Sequence, residues 1–203
     1  YSTVLLPAYF RYHNDKKKFH SLETVFEVEF FGYLLKGKID GIIDNGDGTY
    51  TLLEHKTKSK LDNQLFDNLE LNFQNLFYAV CAEKLFKIKI TGVLYNVIRT
   101  PGIRKCKNEE DSDFIMRLKN DVINRNDFYF LRYPCTYSQS QKKKFKVDLF
   151  KILNKVKKEN LKPYKNIYEC FNGFNCKYIR YCKSDSFTGY EQKDLFPELT
   201  SEY

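Results

Sequence analysis

The sequence predicts an α/β fold in which helices pack on a sheet. Two aliphatic and β-branched runs, 34–43 and 50–56, flank a turn rich in Asn, Asp and Gly at 44–48. That arrangement is typical of a β-hairpin. Apolar residues then recur with a period close to 3.6 over residues 65–86, as expected of an amphipathic helix that packs on the hairpin. A further strand is predicted at about 90–99.

Capping residues and breakers delimit the elements around that helix. Asp62 or Asn63 is the expected N-cap of the helix over residues 65–86. Pro101 ends the strand that begins near residue 90, and the polar residues 105–112 are predicted to form a loop. The first half of the chain therefore contains a hairpin, a helix and a third strand.

The second half is predicted to contain two helices and a strand. These elements are a helix capped by Asp113 that runs to Asn124, a strand over 128–133 that ends at Pro134, and a long basic helix from Ser138 or Ser140 to about Glu159. Residues 184–203 lack periodicity and are predicted to be a mobile tail. Residues 1–183 are accordingly expected to form one domain.

Asp40 and Glu54 are the candidate catalytic carboxylates. They lie roughly level on the two strands of the hairpin, counted outward from the turn. Lys56 shares a strand face with Glu54, whereas His55 points to the other face. Two carboxylates suit Mg²⁺ or Mn²⁺, which lowers the pKa of a bound water and stabilises charge on a phosphate. The pattern favours metal-dependent hydrolysis of a phosphodiester.

These residues also have ordinary structural interpretations. Asp, Glu and Lys near a hairpin are common on a solvated face, although Glu54 ends an apolar run, where an ionised group needs partners. Gln74 and Tyr78 lie four residues apart and share a helix face, from which they can hydrogen-bond a phosphate, a nucleobase or a metal-bound water. The alternative for this pair is a core tyrosine with a glutamine at its edge.

Three segments resemble motifs of the RecB-family nucleases in the PD-(D/E)XK superfamily. They are Gly-Lys-Ile-Asp-Gly at 37–41, Leu-Glu-His-Lys-Thr at 53–57 and Gln-Asn-Leu-Phe-Tyr at 74–78, which resemble motif II, motif III and the Q-x-x-x-Y motif. Residues 93–104 and the cysteine-containing tail resemble the phage-type branch. The resemblance covers about residues 22–183 and extends to the nuclease domains of RecB and AddB and to CRISPR-adaptation exonucleases.

The resemblance implies a restriction-endonuclease-like core, with a mixed central β-sheet flanked by helices. The implied roles are metal binding by Asp40, Glu54 and the backbone carbonyl of His55, catalysis by Lys56, and DNA binding or active-site support by Gln74 and Tyr78. Relatives also use a histidine on a helix before motif II as a metal ligand. Because His13 and His20 fall in a short stretch before the first strand, that helix is expected to be missing here.

The function implied by the resemblance is metal-dependent cleavage of DNA. An exonuclease of phage or prophage recombination, replication or repair is the specific expectation, with a recombinase, a single-strand-binding protein or a helicase as partner. The alternative is a non-catalytic DNA-binding module of the same fold. The sequence favours catalysis because Asp40, Glu54 and Lys56 are all present.

Composition agrees with a polyanionic partner. The formal net charge is +8 over 203 residues, and lysines cluster at 16–18, 142–146 and 155–158. Such an excess favours sequence-independent binding to nucleic acid, and a solvated face is an equal alternative for any one cluster. The sequence shows no apolar run long enough to span a membrane and no signal-peptide h-region. We expect a cytoplasmic protein of a bacterium or a phage-infected cell.

Three of the six cysteines form an even series, Cys170, Cys176 and Cys182. Cytosolic chains rarely use disulfides, and both structural zinc and iron–sulfur clusters want four ligands. In relatives, three such cysteines join an N-terminal cysteine to hold a [4Fe–4S] cluster. The resemblance therefore implies a cluster whose fourth ligand lies outside this chain, and three ordinary thiols are the alternative.

Overall fold

The computed structural model describes residues 1–14, 16–158, 176–184, 186–193 and 196–199. Two compact units are distinguished by their internal contacts, residues 1–149 and residues 150–203. The first unit contains the whole sheet and both candidate carboxylates. The boundary expected between residues 183 and 184 stays a prediction.

A five-stranded mixed sheet forms the centre of the first unit. Its strands are β1 (Phe19–Phe30), β2 (Tyr33–Asp44), β3 (Thr49–Lys58), β4 (Lys89–Arg99) and β5 (Phe130–Thr136), which lie side by side in that order. β3 and β4 are parallel, whereas the other neighbours are antiparallel. A parallel pair needs a long crossover, and the helical segment 63–86 supplies it. The predicted mixed sheet flanked by helices is confirmed.

The described residues also form helices. They are α1 (Ser2–His13), α2 (Asn63–Glu70), α3 (Phe73–Phe86), α4 (Asp111–Asn124), α5 (Asn126–Tyr129), α6 (Gln139–Lys158) and α7 (Ile179–Ser184), with a 3-10 turn at Pro197–Leu199. Asp62 caps α2 by accepting the Leu65 N–H at 2.9 Å. Ser138 and Gln141 exchange two capping bonds at the start of α6. None of the helices in the described ranges is long and apolar enough to cross a membrane.

The single helix predicted over residues 65–86 is wrong, because two helices occupy this segment. Asn72 separates them: its side-chain oxygen accepts the Gln74 N–H at 2.8 Å and caps α3. Asparagine favours such local bonds over a continuous helix. Gln74 and Tyr78 therefore lie in the first turns of a separate helix.

The predicted absence of a helix before the first strand is also wrong. α1 ends at His13, and His20 lies within β1. The helix buries a stripe of four residues against α4, α5 and β5, namely Val4, Leu5, Ala8 and Tyr9. Pro7 lies inside this helix, and an internal proline is normally a signal against one.

Three element ends in the second half differ from the prediction. β5 starts at Phe130, because residues 128 and 129 belong to α5. It continues through Pro134, because this strand is at the edge of the sheet and pairs with β4 alone among the described strands. α4 starts at Asp111, with Glu110 at the N-cap position, so Asp113 lies in the first turn rather than at the cap. Acidic side chains are favourable there because they face the positive end of the helix dipole.

One lysine of the predicted basic clusters has a structural role. Lys142 is buried, and its ammonium group contacts the Glu83 carboxylate and the Ile90 carbonyl, the latter at 2.7 Å. These bonds tie α6 to α3 and β4. Lys142 therefore does not contribute to the positive surface that the 142–146 cluster presents to solvent.

Candidate active site

The two candidate carboxylates lie where β2 and β3 stop pairing. Gly41 and Leu53 form the last pair of the two strands on this side, and Asp40 and Glu54 come next along each strand. The Asp40 carboxylate accepts the backbone N–H of His55, with 2.9 Å between Oδ2 and N. This bond holds Asp40 against the part of β3 that carries Glu54.

Glu54 is a buried carboxylate with one cationic partner. It is 5% exposed, and its Oε1 lies 2.5 Å from Lys56 Nζ. Burial raises the pKa of Glu54 above its ordinary value, and the bond to Lys56 lowers it in part. The charge of Asp40 also raises it. A cation beside this carboxylate therefore stabilises its ionised form.

His55 is fixed at both its backbone and its side chain. Its side chain lies on the face of β3 opposite Glu54 and Lys56, where Nδ1 is 2.9 Å from the Asn96 side-chain nitrogen on β4. Its N–H is held by Asp40. The backbone that would present a carbonyl ligand is thus anchored from two directions.

A buried hydrogen-bond network lies on the face of β3 that carries Glu54 and Lys56. Tyr95 lies level with Glu54 in the parallel register, and its hydroxyl donates to the Leu69 carbonyl at 2.7 Å. The Asn75 amide donates to the same hydroxyl. Burial raises the pKa of Tyr95, so the hydroxyl stays neutral. Neither residue stands out in the sequence patterns, and the one available signal was a polar Asn75 at helical spacing from the apolar Ala79 and Ala82.

Gln74 and Tyr78 form the pair that their spacing predicted. Gln74 Nε2 donates to the Tyr78 hydroxyl at 2.9 Å, and the tyrosine ring packs edge-on against Phe26 at 5.7 Å. A Cβ atom at Gly37 would lie 2.6 Å from the Phe26 ring and 3.0 Å from the Tyr78 ring. The first glycine of the 37–41 segment is therefore needed for close packing. It holds Tyr78 near the strand that leads to Asp40.

The donor set suits a hard divalent cation. Asp40 and Glu54 offer carboxylate oxygens beside a backbone carbonyl, and Mg²⁺ or Mn²⁺ commonly binds one or two carboxylates with water and phosphate. No group of three or more His, Cys, Asp or Glu placed for a metal occurs in the described part of the chain. His13 packs against Tyr9, and His20 against Tyr50 and Phe86. Neither histidine joins the two carboxylates in such a group.

The cysteine series is only partly covered by the structure. Cys170 lies outside the described residues, while Cys176 and Cys182 are partly exposed near α7. Cys81 and Cys135 are buried, and burial raises the pKa of their thiols to about 12 and about 11. They behave as core residues, as expected. The iron–sulfur ligand set stays a prediction.

Comparison with known proteins identifies the family. A family model described as the PD-(D/E)XK nuclease superfamily matches residues 3–183. The match includes Asp40, Glu54, Lys56 and the α3 segment with Gln74 and Tyr78. A search of curated proteins found no match.

Proposed function

This chain belongs to the PD-(D/E)XK nuclease superfamily, and we propose that it is a deoxyribonuclease that requires Mg²⁺ or Mn²⁺. The observation that carries the proposal is the convergence of two carboxylates and an ammonium group where β2 and β3 separate. Asp40 is bound to the His55 N–H, and Lys56 is bound to Glu54. A solvated face does not account for this set, because Glu54 is buried.

Each residue has a proposed role in phosphodiester hydrolysis. Asp40, Glu54 and the His55 carbonyl would hold the divalent cation. When bound, such a cation lowers the pKa of a water and offsets charge on the scissile phosphate. Lys56 would orient the attacking water and favour its deprotonation through its positive charge, since its contact with Glu54 keeps it at the carboxylates.

Donors on α3 complete the proposed centre. Gln74 and Tyr78 already hydrogen-bond each other, so they present an amide and a hydroxyl together to a phosphate or a nucleobase. The net charge of +8 supports a nucleic acid as the substrate, and the resemblance of the motif segments favours DNA. Exonucleolytic action in phage or prophage recombination, replication or repair is the finer proposal, and it rests on the resemblance of the motif segments. A cytoplasmic location and a recombinase, single-strand-binding protein or helicase partner belong to it.

An assay on end-labelled single-stranded and double-stranded DNA with Mg²⁺ or Mn²⁺ tests this proposal. Asp40→Ala, Glu54→Ala and Lys56→Ala should each slow cleavage by at least about a hundredfold. DNA affinity should stay close to that of the wild type, because non-specific binding comes from many scattered lysines. Lys36→Ala is the control, since Lys36 forms an exposed ion pair with Glu27 elsewhere.

Two results would contradict the assignment. Cleavage by all three variants at the wild-type rate would exclude these residues as the catalytic centre. A wild-type protein that binds DNA with every metal but never cleaves it would identify the non-catalytic module instead.

A further inference from the structure

A cavity of about 420 Å³ lies on the face of the sheet opposite Glu54 and Lys56. Leu53 and His55 of β3 and Asn96 of β4 contribute to its wall, together with residues of α1 and the start of β1. Because side chains alternate along a strand, β3 presents the catalytic groups on one face and this cavity on the other. The cavity and the candidate active centre therefore lie on opposite faces of β3.

The rim of the cavity is apolar and faces solvent. Four large side chains with high exposure line it: Leu6, Phe10, Phe19 and Leu22. A cluster of exposed apolar side chains on one surface marks a binding site more often than chance. Two of the four are phenylalanines, whose flat faces can stack on another aromatic ring.

A buried amide lies beneath the wall of the cavity. Asn96 is 1% exposed, and one end of its amide pairs with His55 Nδ1 at 2.9 Å. The other end, Oδ1, has no hydrogen-bond partner among the described residues. Exchanging the oxygen and nitrogen of this amide would leave its nitrogen unpartnered instead. Either way, this part of the wall contains a polar group that is buried at a cost in stability.

The charge of the cavity is positive. Arg132 and Lys17 line it, and Arg132 donates to the Tyr9 hydroxyl at 3.0 Å. No carboxylate occurs among the lining residues that the structure describes. The cavity therefore suits a ligand that carries negative charge close to its apolar body.

We propose that this cavity binds an unpaired nucleobase of the strand on which the active centre acts. A base has flat apolar faces that stack on aromatic side chains, so it matches the phenylalanine rim. The phosphates of the same strand match Arg132 and Lys17, which line the cavity. A small anion would leave the apolar rim uncovered.

This inference rests on the proposed function and adds a base-binding site to it. His55 lines the cavity while its two neighbours in sequence face the active centre. A base seated beside His55 would hold its strand in a fixed position relative to the scissile phosphate. Base stacking of this kind is tolerant of sequence, which suits a nuclease that acts on many strands.

The test compares two single-stranded oligonucleotides of equal length, one normal and one with abasic sites, by their dissociation constants in EDTA. The wild type should bind the abasic strand about tenfold more weakly, the scale of one base–aromatic stack. Leu22→Ala and Phe10→Ala should bring that ratio close to one. Leu34→Ala is the matched control, because Leu34 is 58% exposed on the same hairpin, Leu22 is 57% exposed, and only Leu22 lines the cavity.

A competition experiment with free dAMP distinguishes binding of the base from binding of the phosphate. Displacement of the normal strand, with little effect on the abasic strand, supports binding of the base. Equal displacement of both strands overturns it, as does a wild type that does not distinguish them. Ratios in Leu22→Ala and Phe10→Ala equal to that of Leu34→Ala also overturn it. These binding measurements are made without metal and therefore do not depend on cleavage. A protein that fails to cleave DNA would contradict the proposed function but not the base-binding site.

Discussion

Lys56→Ala is expected to destabilise the protein when divalent cations are absent. Lys56 Nζ lies 2.5 Å from Glu54 Oε1, and the Glu54 side chain is only 7% exposed. Burial raises the pKa of Glu54, the bond to Lys56 lowers it, and the charge of Asp40 raises it. Without the lysine, the buried carboxylate keeps both unfavourable contributions and loses its nearest cation.

The size of the loss follows from the exposure of the pair. Removing one partner of a fully buried ion pair costs about 3–5 kcal/mol. The Lys56 side chain is 26% exposed, so water already solvates part of its charge. We therefore expect a loss of about 2–3 kcal/mol in the free energy of unfolding, which lowers Tm by about 4–12 °C for a domain of this size.

The same loss should depend on pH with a definite sign. A carboxyl group whose folded-state pKa is raised above its unfolded value costs stability above the folded-state pKa. That cost disappears below the ordinary value of 4.5. Removing Lys56 raises the folded-state pKa of Glu54 further. The difference between Lys56→Ala and the wild type should therefore be full near pH 7 and shrink as the pH falls towards 4.5.

Urea unfolding in EDTA measures this effect in a double-mutant cycle. In a Glu54→Gln background the charge is gone, so Lys56→Ala should then cost less than about 1 kcal/mol. Lys36→Ala is the matched control, because Lys36 lies 2.6 Å from Glu27 but their side chains are 45% and 50% exposed. An exposed pair contributes about 0–1 kcal/mol. Equal losses in Lys56→Ala and Lys36→Ala would refute the reasoning.

Three further expectations concern the metal, the sheet and the cysteines. EDTA should stop cleavage, and Mg²⁺ or Mn²⁺ should restore it. Ca²⁺ should support DNA binding with little turnover. Undiminished activity in excess EDTA would contradict the metal requirement. Gly92→Ala should lower the free energy of unfolding in urea by at least about 1–3 kcal/mol, because the added Cβ would lie 2.1 Å from the Cys135 carbonyl oxygen. Gly102→Ala serves as the control, because a Cβ there meets nothing within 4 Å. Protein that includes the fourth ligand and is purified without oxygen should contain iron and sulfide, which Cys176→Ser and Cys182→Ser should lose equally. Mild, unrelated effects would return these residues to ordinary thiols.

The core of the candidate site could be predicted because local rules determine it. The turn at 44–48 sets the hairpin register, and alternation then places Glu54 and Lys56 on one face and His55 on the other. The hydrogen bond between Gln74 and Tyr78 follows in the same way from helical spacing. Each of these relations involves residues close in sequence, whose geometry the secondary structure alone dictates.

The missed features depend on contacts between distant segments. α1 is stabilised by burial against α4, α5 and β5, which its own short and proline-containing sequence does not reveal. Tyr95 bonds to Leu69, and Asn96 pairs with His55, 41 residues away. Pro134 is tolerated only because β5 is an edge strand. No local pattern carries this information, since each case depends on which strands become neighbours.

The costly features around β3 point to the same place as the family motifs. Glu54 is a buried carboxylate near a second acid, and Asn96 has an amide end without a partner among the residues described. Lys142, by contrast, is a buried charge remote from β3 whose ammonium group contacts a carboxylate and a carbonyl. A buried polar group that is left partly unsatisfied lowers stability, so it is expected where binding or catalysis compensates for it. Glu54 on β3 and Asn96 on β4 lie on opposite faces of the sheet, so the proposed active centre and the proposed base-binding site each adjoin one such group.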